Sequence, residues 1–516
     1  MKPSNVVIVN TVFLYVKIVL TAFITLFSTR IILDVLGVED FGIYNLIAGS
    51  VAILSFLNGA MMVSTQRYLS VCLGSNDASK LFKIFNTSFI LHIAIALLIF
   101  FVIEILGLWL FDGILKFDLE RFDVAKLVYH IVAFTLFVTI VGVPYNAAIN
   151  AREDMWFFAL VEILLVVLKL LAAFYLYYTP YDALVVFAVS TLLITFVGYI
   201  IKWWWCQWHY QETKIDIKRG VDFKILKEIL AFCGWNTLGA AAQVGRNQGT
   251  AVVLNVFWGT LANAAYGITN QVNGLLVSFS QTLTSAIAPQ IMKSKGSENQ
   301  SRMLYLAMLS CKFSFFLSSL WGVILLSELP LILRFWLKEV PVNTIEFCRW
   351  TIWIFLIMQL YPGLVRALQA DGRIKYYQIA ISILLLLPLL IGCGLFAWGF
   401  SINSIFGVMI FAQVMTLCVT LYFSKIYVGL IIKDYLWNVV LKSCMMFSVS
   451  LLVAYIFHYI ENEWLRFISV VLTALITQCL FFGKIILSGT EREKVYSIAC
   501  KLICKIFGNV NEKRFS

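Results

Sequence analysis

The sequence predicts an all-α polytopic membrane protein with about fourteen membrane-crossing helices, and three observations predict it. Hydrophobic residues make up 61% of 516 positions, charged residues only 13%, and mean hydropathy is +0.90. A soluble domain is nearer about 45–50% apolar and about 25% charged. The apolar residues gather in runs of roughly 20 or more, the length that crosses one hydrocarbon core as helix. Barrel strands would instead alternate polar and apolar over segments of about ten residues, which these runs do not do.

Taken in order, the stretches are 7–32, 41–65, 84–112, 126–150, 156–178, 183–205, 228–258, 263–288, 305–327, 344–369, 376–399, 402–424, 437–459 and 464–488. The first is long enough to span and lacks an A-x-A cleavage site, so it reads as span 1, not a removed leader. Most of the 39 lysines and arginines fall in segments that a cytoplasmic N-terminus places inside. That bias is expected to put both termini on the cytoplasmic side of the membrane. The net charge of +11 is then a topology signal directed at anionic lipid, and no nucleic-acid partner is expected. Cys72, Cys206, Cys233, Cys311, Cys348, Cys393, Cys418, Cys444 and Cys479 lie singly, and only Cys500 and Cys504 are close. Neither a metal spacing nor a disulfide framework results.

A repeat at an offset near 220 residues organises the chain. Ile32-Leu33-Asp34-Val35-Leu36 before Gly37 matches Val253-Leu254-Asn255-Val256-Phe257 before Trp258-Gly259. Pro144 followed by Asn150-Ala151-Arg152 matches Pro362 followed by Gln369-Ala370-Asp371. Ser55-Phe56 and Gln66 match Ser278-Phe279 and Gln290. An even number of spans per copy makes the repeat parallel, with substrate expected between the copies near mid-membrane. The expected division is a six-span lobe over 1–205, a cytoplasmic linker over 206–227, a second six-span lobe over 228–424, two added spans over 425–490, and a basic amphipathic tail over 491–516.

An ionisable side chain inside a span costs about 2.5–3.5 kcal/mol on insertion scales, so each is a functional candidate. The basic ones are Lys17, Lys169, Arg246 and Lys312, with Arg30 at the outer end of span 1, and the acids are Glu104 and Glu162. Span 7 carries a polar stripe at helical spacing, Asn236, Gly239, Gln243, Arg246, Asn247 and Thr250. Span 8 adds Asn270, Asn273, Ser280 and Thr284, and span 1 adds Asn10, Lys17, Thr21 and Ser28. Spans 1, 2, 7 and 8 are the polar ones and are expected to line a central cavity. The cavity residues are then Lys17, Arg30, Asn236, Gln243, Arg246, Asn247, Asn270 and Asn273, and the candidates for ion coupling are Asp34, Glu162 and Lys169. The same stripes serve equally as hydrogen-bonding glue between helices, and Arg30, Glu104 and Lys312 lie where side chains snorkel. No G-x-x-x-x-G-K-[ST], H-E-x-x-H or G-x-S-x-G run occurs, so neither an ATP site nor a cofactor is expected.

Ser28-Thr29-Arg30-Ile31-Ile32-Leu33, Leu36-Gly37, Phe41-Gly42-Ile43-Tyr44, Phe56-Leu57-Asn58 and Gln66-Arg67-Tyr68 carry a family likeness. This segment, with the junction from Pro144 to Glu153, resembles bacterial polysaccharide flippases of the multidrug, oligosaccharidyl-lipid and polysaccharide exporter superfamily. The resemblance implies two six-helix lobes, a cationic cavity and alternating access driven by an ion gradient or membrane potential. It implies an undecaprenyl-pyrophosphate-linked oligosaccharide as substrate, flipped to the outer leaflet for O-antigen, capsule or exopolysaccharide synthesis. Membrane lipids, a polysaccharide polymerase and glycosyltransferases are the partners it implies. A cation-coupled drug exporter of the same fold is the alternative, and a membrane glycosyltransferase or polymerase is a third. The third rests on Asp34, Glu39 and Asp40 in the first outer turn, where Asp34 is expected to pair with Arg30, and Glu39 and Asp40 to be solvated.

Overall fold

The computed structural model describes residues 3–52, 55–109, 111, 121–337, 340–489 and 491–493, and among them there are helices and turns but no strand. The first half, before the linker, holds α1 (Pro3–Ala52), α2 (Ser55–Ser75), α3 (Ala78–Trp109), α4 (Phe122–Val141), α5 (Val143–Arg152), α6 (Met155–Tyr175) and α7 (Ala183–His209). After the short α8 (Ile217–Gly220) come α9 (Phe223–Gly296), α10 (Gln300–Trp336), α11 (Thr344–Met358), α12 (Pro362–Asp371), α13 (Lys375–Ala397) and α14 (Ser404–Val428). The chain closes with α15 (Ile432–Tyr435), α16 (Lys442–Ile456) and α17 (Glu463–Phe481). The protein is a multi-pass membrane protein: ten helices are long and apolar enough to cross a membrane, or eleven if α11 and α12, bent by 46°, form one span. Three of the fourteen sequence stretches fall short of that test. Of these, 228–258 and 263–288 are helical but polar, whereas 41–65 is interrupted by residues 53–54, which lie outside the described residues.

The repeated sequence elements take the same local structure twice. α1 runs through Gly37 at φ 71°, ψ 174°, and α9 runs through Gly259 at φ 79°, ψ −172°. Only glycine holds this conformation without a Cβ clash, so each long helix is two arms joined at a matching break. The Pro144 and Pro362 motifs each open a helix of ten residues, α5 and α12, with proline in the first turn where its missing N–H is not needed. Both helices end on a left-handed residue, Glu153 at φ 69° and Gly372 at φ 95°.

Side chains from α2–α5 and α7 fill the first half, where Phe85, Phe89, Tyr145 and Tyr199 form an edge-to-face cluster. Outward faces are apolar, as at Leu98, Ile105 and Leu390, which suits a lipid surround. The last two spans are bound firmly to α10 by polar ties at three depths. Arg466 forks onto Glu328 at 2.8 and 3.1 Å, Ser319 donates to Gln478 at 3.0 Å, and Lys312 meets Glu491 at 3.0 Å. Lys312 is therefore a buried staple between α10 and residue 491 and does not face a cavity. The amphipathic tail expected over 491–516, with Cys500 and Cys504, lies outside the described residues from 494 onward.

Candidate functional site

The polar contacts that the described residues place between the two halves gather at the end carrying the linker. Gln290 donates to Glu153 at 2.5 Å, Lys293 is ion-paired with the same carboxylate, and Asn10 donates to the Glu153 carbonyl at 2.8 Å. In the mirror-image contact, Arg67 donates to the carbonyls of Ala370 and Asp371 at 3.4 and 3.2 Å, while Lys295 holds the Asp371 carboxylate at 2.8 Å. Each half thus grips the junction helix of the other, α9 on α5 and α2 on α12. Backbone contact completes the seal. A Cβ at Gly74 would stand 2.1 Å from the Lys293 carbonyl oxygen, and one at Gly296 would stand 1.8 Å from that of Val71. Arg67 lies flat between Tyr68 and Phe232, 4.6 and 4.7 Å from their ring centres. Further along, Tyr15 donates to the Phe279 carbonyl at 3.0 Å beside a cavity of about 200 Å³ lined by Tyr15, Phe279, Ser280, Trp321 and Phe355. A larger hollow of about 840 Å³ lies at residues 432–444 and includes no site residue.

In the first half the structure brings Lys17, Glu162 and Lys169 together and adds a residue the sequence reading passed over. Lys202 on α7 reaches across to Glu162 on α6 at 2.8 Å. Lys17 of α1 and Lys202 lie over the Phe158 ring, 5.0 and 5.1 Å from its centre, and Lys17 and Lys169 both act on the Glu162 charge. Three lysines face one carboxylate, so the cluster is net positive. Among them Lys202 takes the carboxylate directly.

The second half gathers the polar stripe of span 7. The Asn236 side-chain oxygen Oδ1 accepts from Gln369 of α12 at 3.4 Å and Gln378 of α13 at 3.2 Å, and Gln243 donates to Asn247 at 3.4 Å. Arg246 lies beside Tyr266 and Tyr361, and Thr250 and Asn270 lie against the Tyr266 hydroxyl. Gln413 of α14 donates to Tyr361. Neither Arg246 nor Arg366 of α12 has a carboxylate in ion-pairing range among the described residues. Arg366 sits inside a greasy stretch, and only its charge could have marked it in the sequence.

Other expectations fail at the end opposite the linker. Arg30 is exposed and does not pair with Asp34, whose carboxylate accepts from Tyr177 at 2.7 Å. The tyrosine on the chain after α6 offers a shorter reach than an arginine one turn back on the same helix. Asp40 is not solvated: it is 6% exposed and ion-paired to Arg121 at 2.7 Å, and Arg121 also holds Asp182. Burial lifts the Asp40 carboxyl above its ordinary value against the pull of Arg121. The Glu39 side chain lies outside the described residues. Asn273 is half-buried and joins neither cluster. Glu104 meets His130 at 2.7 Å on the outward side of α3 and α4. Near the end of α7, Trp203, Trp204 and Trp208 are exposed, whereas Trp205 stacks on Phe157 with ring centres 3.9 Å apart.

The sequence matches no family model and no curated protein. Its structure matches 36 solved chains. A MATE in the straight conformation aligns with a TM-score of 0.73 at 14% identity over 83% of this chain and 97% of that one. The fold is that of the MATE transporters. A multidrug resistance MATE of the MOP superfamily in an outward-facing conformation aligns at 0.71 with 14% identity, over 83% of this chain and 96% of that one. A MOP superfamily transporter from Pyrococcus furiosus, described as having a binding pocket of reverse polarity, aligns at 0.69 with 12% identity, over 83% and 98%. The two polar arms of α9 pack against α2, α10 and α13.

Proposed function

We propose that the protein is a flippase for an anionic lipid-linked oligosaccharide, moving an undecaprenyl-diphosphate-linked repeat unit to the outer leaflet by alternating access. The observation that carries this reading is the excess of cations over acids among the polar groups of both halves. Lys202 is paired with Glu162, Lys17 and Lys169 act on the same charge, and Arg246 has no carboxylate in ion-pairing range among the described residues. A diphosphate crossing hydrocarbon needs such counter-charges, and guanidinium forks match its oxygens in pairs. An inside-negative potential helps to carry it outward, by about 2.3 kcal/mol per charge per 100 mV. The motif over residues 28–70 supports the same reading.

The drug-exporter reading draws on the MATE fold, and the chemistry of the site speaks against it. A cationic drug needs a free carboxylate, and Glu162 is already held by Lys202. The glycosyltransferase reading is weakened at two of its three acids, because Asp34 and Asp40 are engaged by Tyr177 and Arg121. The test is a tagged lipid-linked oligosaccharide in inverted vesicles. A flippase moves it between leaflets with its sugar chain unchanged, Arg246→Ala abolishes the movement, and Arg246→Lys keeps part of it. Chain lengthening that depends on this protein alone, or efflux of a cationic dye with no movement of the lipid, sinks the proposal.

A further inference from the structure

The cavity of about 200 Å³ takes one wall from the first half, Tyr15 of α1, and the rest from α9, α10 and α11 of the second. Four of its lining side chains are aromatic: Tyr15, Phe279, Trp321 and Phe355. Tyr15 and Phe279 stack with ring centres 6.1 Å apart, and Phe279 meets Trp321 at 5.7 Å. Trp321 keeps 43% of its surface exposed, so its ring still has area to offer. No lining residue is charged, and the polar ones besides Tyr15 are the buried Ser280 and Ser318. Ser280 donates to Oε1 of Gln359, a residue only 1% exposed. The Nε2 of that amide has no hydrogen-bond partner among the described residues.

We infer that this cavity is a subsite for one neutral sugar ring of the lipid-linked chain, an assignment that rests on the flippase reading. A pyranose has apolar C–H faces, which aromatic rings cover, and a rim of hydroxyls, which need donors and acceptors. The cavity supplies both kinds of surface. A buried amide left unmatched costs about 1–3 kcal/mol, which a ligand hydroxyl would recover. Turning the Gln359 amide over only exchanges an unmatched donor for an unmatched acceptor, and a hydroxyl serves either. One ordered water is too little, since its share of liquid volume is about 30 Å³ and most of this wall is aromatic or aliphatic. A prenyl chain would suit the rings but leave Gln359 unmatched. An acidic or amino sugar would lose its water here without gaining a counter-ion. The space holds one ring and not a whole repeat unit, because even drug-sized ligands fill roughly 300–1,000 Å³. The cations of the proposed function then meet the diphosphate, and this cavity meets the sugar. Only Tyr15 comes from the first half, latched by its hydroxyl to the Phe279 carbonyl at 3.0 Å, so parting of the halves removes one wall and frees the ring.

The experiment uses the purified full chain in a sugar-free detergent and two probes, a short-chain prenyl diphosphate and the same lipid carrying a neutral disaccharide. The affinity for each is measured by titration. The wild type should bind the glycosylated probe about tenfold or more tighter than the bare one, as one ring contact and one hydrogen bond would give. Trp321→Ala and Gln359→Ala should each cut that preference about threefold or more, and Trp321→Phe should keep part of it. The bare probe should bind every variant as it binds the wild type, which also shows that the variants fold. Equal affinities for the two probes in the wild type, or a preference undiminished in both alanine variants, overturns the subsite and leaves the flippase reading standing. A variant that unfolds at the wild-type temperature but loses both probes equally assigns the cavity to the prenyl chain and overturns the sugar. Binding of neither probe by the wild type overturns the subsite and the flippase reading together.

Discussion

Glu153 carries a strained backbone for the sake of its side chain. It holds the left-handed conformation that glycine holds at the matching position 372, at a cost of about 1 kcal/mol for a residue with a Cβ. Its buried carboxylate binds Gln290 and Lys293 of the other half, which offsets that strain. Glu153→Gly should relax the backbone and still impair transport, because the contact between the halves is lost. Unimpaired transport would make the residue a turn former only. The Lys202–Glu162 pair is the corresponding case in the first half. Lys202→Met alone removes the direct partner of the half-buried Glu162 carboxylate, leaving only the more distant Lys17 and Lys169, and should destabilise by about 3 kcal/mol, while Lys202→Met with Glu162→Gln should recover most of that loss. A double-mutant cycle in chemical denaturation measures it, and additive losses would mean the pair is not coupled.

At the scale of elements, α2 and α9 cross at glycines because nothing larger fits, and the crossing can be read through a nearby thiol. Burial pushes the Cys72 thiol on α2 up to about 11, so it reacts slowly while the seal is closed. Gly296→Ala places a methyl group against the Val71 carbonyl and must separate the helices. In a variant with Cys72 as its sole cysteine, Gly296→Ala should raise the labelling rate at least about tenfold, as the thiol returns toward its free value of about 8.5. An unchanged rate would show that the crossing has room the geometry denies. Lys293→Glu should open the seal likewise, and Lys293→Glu with Glu153→Lys should restore slow labelling.

For the whole molecule, two expectations concern orientation and acid stability. The excess of lysine and arginine leads us to expect the linker in the cytoplasm. Thr213 is buried and bonded to the carbonyls of Cys206 and Tyr210, so the exposed neighbour Lys214 is the position to label. Lys214→Cys in an otherwise cysteine-free chain should react with an impermeant reagent only from the inner side; labelling of intact cells would reverse the topology. Asp371 sits at the seal, where burial would raise its carboxyl but the bonds from Arg373 and Lys295 outweigh it and hold the group below the usual range. A depressed folded value means the stabilisation is present above the free carboxylate's pKa and fades as pH falls through the lower folded one. The stability gap between wild type and Asp371→Asn should stay constant above about pH 5 and close below about pH 4. A gap that closes already near neutral pH would contradict this assignment.

The amino-acid sequence by itself determined the solvent of this protein, its helical class and its internal repeat. Apolarity is additive along a chain, and a helix satisfies its own backbone in lipid without help from distant residues. The glycine and proline motifs were legible for the same reason: Gly37 with Gly259, and Pro144 with Pro362, act on their own backbone and produce the same break wherever they occur. Arg246, Asn236 and Glu162 were legible as polar residues in apolar runs. Their partners were not, because partnership is decided by which helices become neighbours. Tertiary structure alone gave Lys202 to Glu162, Lys312 to Glu491 and Tyr177 to Asp34, and buried Asp40 against Arg121. A charge in a membrane span announces a cost at its own position, but the group that meets that cost lies 40 residues away for Glu162 and 179 for Lys312. Only the packing of the helices brings the two within reach.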